Sequence, residues 1–348
     1  AGPPAHAVSP RSRRPVSTQG VLMATRDAGE TVDGGRRPGG GAPWTVSGTT
    51  LRAVALTTML TLLGGLIGPA SALPRYSAQY GQRCALCHVE PTGGGMRTMY
   101  ASMALIPEEL SLTSPAPEEL ARIRPDLNEA VIVGLDLRSL VYQGEGGSGG
   151  QLDMQADASI GIQASNQFAA YIEVGKSGAE EYAGLAYVLP AKGYVKAGRF
   201  TPDYGWHWAD HNLASRRYLL SENGFESPNA LTEAGIEVGM HSQWWEVTGA
   251  LLQGSGDNGE SYAGRLALRR SVGPVNLAIG TSVLRRQLVD AHARAWGGFG
   301  YLAAGPVAWV FQVDETGDGR RNGLLISQEL TYRLLKGVHA RGVYSFVD

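Results

Sequence analysis

The sequence is poor in cysteine: it has two, Cys84 and Cys87, in 348 residues. Two cysteines so close together cannot provide the disulfide framework that stabilises many small secreted proteins. They also cannot complete a structural zinc site, which usually takes four ligands from two such pairs. A thioredoxin-like dithiol would sit in a βαβ pattern, and the surrounding sequence has none. The low cysteine count therefore excludes the common structural roles of a cysteine pair.

Long apolar runs and an excess of basic charge are also missing. The run Ala53–Ile67 is shorter than the ~20 residues that a membrane-spanning helix needs. From residue 73 onward the sequence has 23 Lys and Arg residues against 29 Asp and Glu residues, a net charge of −6. Because a phosphate-binding surface is basic, this balance argues against nucleic acid as a partner.

The two cysteines stand in the stretch Cys84-Ala85-Leu86-Cys87-His88, which has the spacing of a c-type haem attachment motif. Two intervening residues place both thiols on one turn of chain, at about the separation of the two vinyl groups of a porphyrin. The next residue, His88, can then offer an imidazole nitrogen to the iron. We predict one covalent haem c, with Cys84 and Cys87 as thioether sites and His88 as an axial ligand.

The sequence leaves the sixth ligand of the iron open. Met96, Met99 and Met103 are the local candidates, although methionines also serve as apolar packing around a ring. His207 is a distant candidate, and an open sixth position is a further alternative.

Residues 1–72 read as a disordered extension followed by a signal peptide. The first fifty residues are rich in Gly, Pro, Arg and Ser and lack an apolar period. Arg52 then precedes the apolar run Ala53–Ile67, and Ala70-Ser71-Ala72 matches a small-x-small cleavage site. We expect cleavage near Ala72 and export from the cytoplasm. Export agrees with the haem prediction, because covalent haem attachment takes place outside the cytoplasm.

Residues 73–128 form the predicted haem segment, of helices and loops. Pro91-Thr92-Gly93-Gly94-Gly95 predicts a flexible turn that approaches the ring, and Pro-Glu-Glu-Leu pieces at Pro107 and Pro117 predict short helices. A segment of this size buries too little surface to be stable alone or to cover a porphyrin. We therefore expect it to pack into or against the rest of the chain.

Residues 129–348 alternate between apolar and polar positions, segment after segment. Ala234, Ile236, Val238 and Met240 share one face of such a segment, and Glu233 and Glu237 lie on the other. About thirteen segments of ~10 residues follow this pattern, the length that a tilted strand needs to cross a bilayer. Charged residues on successive inward positions suit a water-filled interior better than the core of a soluble β-sandwich or propeller.

The predicted fold is therefore mainly β: a transmembrane antiparallel β-barrel of about 12–16 strands. We expect its tryptophans at strand ends, in interfacial girdles: Trp206, Trp208, Trp244, Trp245, Trp296 and Trp309. Single-chain bacterial barrels prefer an even strand number. The pattern thus favours either a further strand beyond Asp348 or a count that is wrong by one.

The longest gap in the strand pattern is the connection 201–231, which contains His207 and His211. On a helix these two histidines would share a face and could bind a metal or reach the haem. We favour a constriction loop folded into the barrel interior, with the histidines as polar lining, because no third metal ligand is evident.

A signal peptide, one c-type haem segment and a barrel on one chain resemble the fused cytochrome–porins of the bacterial outer membrane. The resemblance is specific at Arg83-Cys84-Ala85-Leu86-Cys87-His88-Val89-Glu90-Pro91-Thr92-Gly93-Gly94-Gly95. It implies an electron carrier rather than a conventional enzyme, passing electrons between an extracellular donor such as Fe(II) and a periplasmic carrier such as a soluble cytochrome. The expected surroundings are outer-membrane lipid. The alternative from another class is a solute porin whose haem segment is a plug or redox gate.

Overall fold

The computed structural model of the chain describes most of the sequence from residue 74 onward. The described ranges are 74–122, 124–143, 149–175, 180–208, 213–219, 231–254, 260–287, 292–317 and 322–348. The predicted extension and signal peptide, residues 1–72, lie outside the described residues, as does His211. None of the helices in the described ranges has the length and apolarity needed to cross a membrane.

The helices are short, and most of them precede the strands. They are α1 Pro74–Tyr80, α2 Cys84–Cys87, α3 Ile106–Leu110, α4 Pro117–Arg122 and α5 Ala214–Leu219, with a π-helical turn at Ala101–Leu105 leading into α3. Both Pro-Glu-Glu-Leu pieces are helical, as predicted. In α3 and α4 a proline stands at the helix start, where its missing N–H costs little, and two glutamates follow, where negative charge suits the helix dipole.

Within the described ranges, thirteen strands form one antiparallel sheet in which each strand pairs with its sequence neighbours. They are β1 Val131–Gln143, β2 Gly149–Gln163, β3 Phe168–Gly175, β4 Glu181–Leu189, β5 Gly193–Phe200, β6 Glu233–His241, β7 Trp245–Leu252, β8 Ser261–Val272, β9 Val275–Gln287, β10 His292–Ala304, β11 Val307–Gly317, β12 Asn322–Leu335 and β13 Val338–Val347. The antiparallel β class and the strand count within 12–16 are thus confirmed. Among the described residues, no pairing joins β1 to β13.

The connections between strands differ in length at the two ends of the sheet. At one end, the short-turn end, they have two to four residues; at the other, the long-loop end, they have four to thirty-two. Two of the short turns are Gly-Pro pairs in which Gly273 and Gly305 adopt positive φ, at 57° and 54°. Positive φ at the first turn position matches the twist of the flanking strands, so glycine is favoured there.

The two faces of the sheet are reversed relative to a soluble protein. In β8 the buried positions include Arg265 and Arg269, exposed by 6 % and 8 %, whereas Leu266 and Leu268 are exposed by 44 % and 49 %. The same outward face carries apolar side chains on other strands: Leu135, Leu137, Ile160, Ile162, Ile172, Val174, Ile236, Val238, Leu251, Ile279, Val283, Leu302 and Val313. Strand pleating places alternate residues on opposite faces, so the polar face is the covered one.

The sheet curls around its polar face. The Ser215 N–H donates to Ser327 Oγ on β12 at 3.0 Å, while the next residue, Arg216, lies within electrostatic range of Glu181 on β4. Eight strand spacings of ~4.8 Å separate β4 from β12 along the sheet, about 38 Å. An arginine side chain cannot bridge that distance. The sheet must therefore bend so that distant strands face each other across an interior.

Two insertions fill this interior from opposite ends. The predicted haem segment enters at the short-turn end, where Arg333 and Lys336, beside the β12–β13 turn, form salt bridges with α3. The connection after β5 enters from the long-loop end, and its Trp206 and Trp208 are buried. The prediction of interfacial girdle positions for these two tryptophans was wrong, because the connection folds inward. Exposed Trp244, Trp296 and Trp309, in contrast, lie on the outer surface.

Candidate functional site: the Cys84–His88 motif inside the curled sheet

The cysteine motif forms one end of a closed loop. The His88 N–H donates to the Cys84 carbonyl at 2.9 Å, so the motif completes a single helical turn. The Val89 N–H donates to the Met96 carbonyl at 3.0 Å, and the Thr98 N–H to the Cys87 carbonyl at 2.9 Å. These bonds clamp residues 87–98 into a narrow loop. Both thiols and the imidazole therefore project from one short, fixed piece of backbone.

The glycine turn at the tip of this loop leaves little room for side chains. Gly93, Gly94 and Gly95 all have positive φ, at 102°, 86° and 54°. A Cβ on Gly93 would lie 3.2 Å from Cys84 Sγ, and one on Gly94 would lie 3.3 Å from His207 Nδ1. The turn therefore needs glycine both for its backbone conformation and for its close neighbours.

The backbone of Gly94 and Gly95 hydrogen-bonds to the His88 ring, and the other motif contacts are few. His88 Nδ1 is buried without a hydrogen-bond partner, and both cysteines are free thiols. Burial lowers the pKa of His88 to about 4, with the Arg97 charge acting in the same direction. Burial raises the pKa of the Cys84 thiol to about 11. At neutral pH the imidazole is uncharged, which is the form that binds a metal.

A buried ionic cluster fixes the loop to the inner face of the sheet. Lys196 on β5 donates to Glu90 Oε1 at 2.6 Å and lies 2.9 Å from Glu237 Oε1 on β6. The Tyr171 hydroxyl donates to Glu90, and the Tyr194 hydroxyl donates to Glu237 at 2.8 Å. The exposed fraction is 3 % for Glu90 and 0 % for Lys196 and Glu237. Although burial alone would raise the pKa of Glu90, Lys196 and the hydroxyl donors hold it below its ordinary value.

A second set of contacts holds the helices on either side of the motif. Arg75 of α1 lies 3.5 Å from Glu329 of β12, and both side chains are buried. Glu109 of α3 accepts from Arg333 and lies within hydrogen-bond distance of His339, both at 3.0 Å. The segment that carries α1 and α3 thus packs against the rest of the chain. Its contacts are ionic because the face that it covers is polar.

The structure brings His207 next to the motif and places the methionines differently. Of the predicted sixth ligands, His207 borders Gly94. Met96 is buried against β1 and β2, with its Sδ 3.1 Å from the position of a Cβ on Gly161. Met99 and Met103 are half-buried, on the stretch that leads into α3. Residues 201–208 form no helix. In this described part of the connection, His207 therefore does not lie on a helix whose face it could share with His211.

A small cleft adjoins Cys84. Its lining includes Arg83, Cys84, Tyr194, Asp203, Glu246 and Arg265. Glu246 accepts from both Arg265 and Arg269, so the carboxylate is fully engaged. The cleft is the open space beside the first thiol, and its walls are charged.

Sequence reasoning missed the residues that dock the motif. Glu90 was noted as part of the motif phrase, but no local signal connects it with Lys196, 106 positions away. A weaker signal was present: Lys196 and Glu237 both occupy inward positions of alternating strands, where charged side chains need partners.

A scan of protein-family models finds no match to this chain, and a search of curated proteins finds none either. In the described ranges no group of three or more His, Cys, Asp or Glu side chains is arranged to hold a metal ion. Two thiols and one imidazole on a single turn have the composition that covalent haem attachment uses.

Proposed function

We propose that this chain is an outer-membrane electron-transfer protein that carries one covalent c-type haem inside a porin-like β-barrel. The observation that carries the proposal is the location of the Cys84–His88 motif. It lies on the polar inner face of a curled sheet, fixed there by the buried Glu90–Lys196–Glu237 cluster. A redox centre at that position would be shielded by protein from the apolar surroundings of the sheet.

The outer face supports a membrane location. Leucine, isoleucine and valine side chains are exposed on most strands, and charged side chains on the same strands point inward. In water, a contiguous apolar surface of this extent would be costly, whereas lipid would cover it. Short turns at one end and longer connections at the other match the periplasmic and extracellular ends of outer-membrane barrels. The haem segment then enters from the periplasmic end.

The residues present fit a covalent haem. Cys84 and Cys87 are free thiols on one helical turn, and the buried His88 ring is neutral with an unpartnered nitrogen. Cys84 and Cys87 would hold the porphyrin through thioether bonds, and His88 would bind its iron. When bound, the haem supplies an iron that accepts and releases one electron at a time.

The chain itself positions this centre between two aqueous compartments. Lys196 and Glu237 hold the motif loop through Glu90, and the α1 and α3 contacts to β12 and β13 hold the flanking helices. Residues 201–208, the described part of the connection directly after β5, border the motif loop at Gly94. Electrons would enter from an extracellular donor, for which Fe(II) is our candidate. They would leave at the short-turn end to a periplasmic carrier such as a soluble cytochrome.

Liposomes with a trapped oxidant test this function. The protein is reconstituted, Fe(II) is added outside, and reduction of the internal oxidant is followed. Wild type should reduce it, whereas His88→Ala and the double variant Cys84→Ser with Cys87→Ser should not. Both variants should retain the folded barrel, seen as a mobility shift on heating in a gel. Equal rates for wild type and either variant would refute the proposal.

A solute porin with a haem-bearing plug is distinguished by flux. In liposome swelling assays, the electron carrier should pass small solutes slowly, because the haem segment and residues 201–208 occupy the interior. Rapid swelling that changes when the haem is reduced would instead favour a redox gate and contradict the electron carrier.

A further inference from the structure

His207 lies where the two insertions into the sheet interior meet. Its Nδ1 is 3.3 Å from the position that a Cβ on Gly94 would occupy. The same glycine turn borders His88, whose ring is hydrogen-bonded by the backbone of Gly94 and Gly95 and lies within electrostatic range of His207. A side-chain-free turn thus lies next to two buried imidazoles, one from each insertion.

The Nε2 atom, on the other side of the His207 ring, faces Asp203 without forming a hydrogen bond. Asp203 Oδ1 lies 3.7 Å from His207 Nε2, and both atoms are buried without a hydrogen-bond partner. Asp203 is otherwise fixed, because its Oδ2 accepts from Thr248 Oγ1 at 2.6 Å and its Oδ1 lies 3.8 Å from Arg265 Nε. A small rotation of the imidazole would let Nε2–H donate to Asp203. Nδ1 would then be unprotonated and directed towards Gly94.

The geometry points to His207 as the second axial ligand of the iron, through Nδ1, with Asp203 as its positioning residue. This inference rests on the proposed function, since it assumes a haem held by Cys84, Cys87 and His88. A carboxylate on the far nitrogen of a ligating histidine fixes the tautomer and raises the basicity of the ligand.

The methionines fit the role less well. Met96 is the most buried of the three, and its Cγ and Sδ lie 3.8 Å and 3.1 Å from the positions of Cβ atoms on Gly134 and Gly161. Its side chain thus fills the space above two glycines of β1 and β2. Such packing is the usual role of methionine beside a cofactor.

Spectroscopy of the purified holoprotein in detergent tests the assignment. Ferric wild type should be six-coordinate and low-spin, without the methionine–iron charge-transfer band. His207→Ala should lose the low-spin signal in absorption and electron paramagnetic resonance, and added imidazole should restore it. Met96→Leu, the matched control, should keep the wild-type spectrum. Asp203→Asn should stay low-spin but have a higher reduction potential, because its ligand is less basic.

Two results would overturn the inference: a methionine–iron band in wild type, or a low-spin spectrum in His207→Ala without added imidazole. Imidazole rescue separates ligand loss from misfolding, and the mobility shift on heating checks the fold of each variant. Loss of covalent haem stain from wild type would refute the proposed function instead, so the two failures are distinguishable.

Discussion

Replacing Lys196 with methionine removes the cation that the buried carboxylates of Glu90 and Glu237 share. The Lys196 ammonium lies 2.6 Å from one carboxylate and 2.9 Å from the other. At an effective dielectric constant of ~20, each attraction is about 6 kcal/mol before desolvation is subtracted. Removing one partner of a buried ion pair typically costs ~3–5 kcal/mol, because the remaining charge stays buried and unpaired. Methionine preserves most of the side-chain volume, so the loss is mainly electrostatic.

Hydrogen exchange of the motif loop measures this cost directly. The amides of His88, Val89 and Thr98 are hydrogen-bonded within the loop and exchange when it opens. A loss of ~3–5 kcal/mol should accelerate their exchange in Lys196→Met by between about 10² and 10⁴-fold. The matched control is Lys192→Met, at an exposed position in the turn before β5, which should leave the rates unchanged.

A neutral triple variant separates charge from shape. Glu90→Gln, Lys196→Met and Glu237→Gln together leave no unpaired buried charge, so most of the protection should return. Acceleration below about tenfold in Lys196→Met, or no recovery in the triple variant, would show that the ionic cluster does not hold the loop in place.

Three further outcomes are expected. Leu266→Arg should destabilise the protein in vesicles by ~2–4 kcal/mol in a denaturant titration, because it places a charge in lipid. The control Arg270→Leu, on the same strand, should not destabilise the protein. Equal effects of the two variants would contradict the assignment of Leu266 to a lipid-facing position. Gly94→Ala should lower the free energy of unfolding by ~1–3 kcal/mol, because Gly94 has a positive φ that strains other residues. Gly184→Ala should be tolerated, because no atom lies within 4 Å of the position of its Cβ. Equal losses in the two variants would refute the argument from backbone strain at Gly94. In haem-free protein the pKa of Cys84 is raised to about 11, against 9.0 for an ordinary thiol. Its alkylation at pH 8, followed by mass spectrometry, should therefore be about 100-fold slower than that of a free thiol, and the rate should rise as the pH approaches 11. Alkylation of Cys84 at the rate of a free thiol at pH 8 would refute the raised pKa.

The strands and their two faces could be predicted from local sequence. In β8 the alternation of Arg265 and Arg269 with Leu266 and Leu268 already separates the two faces. Because the period of a strand is two residues, such a pattern needs no knowledge of the rest of the fold. The Cys84–His88 motif is likewise a local signal, since its five residues are contiguous.

The docking of the motif could not be predicted, because it depends on contacts between distant parts of the chain. Glu90 and Lys196 meet only when the motif loop docks on β5, and nothing local to either residue indicates the other. For Trp206 the local sequence was misleading instead. An aromatic residue beside a strand end suggested a girdle position, but its connection folds inward and its indole N–H donates to the Gly300 carbonyl at 3.3 Å.

The central claim, a haem bound covalently to a membrane-embedded sheet on one chain, is tested most directly by one gel. An outer-membrane fraction from cells that mature c-type cytochromes is run with and without boiling and stained for covalent haem. The account predicts a haem-positive band of this chain whose mobility shifts on heating. A band without haem stain, or haem stain found only in the soluble periplasmic fraction, would contradict it.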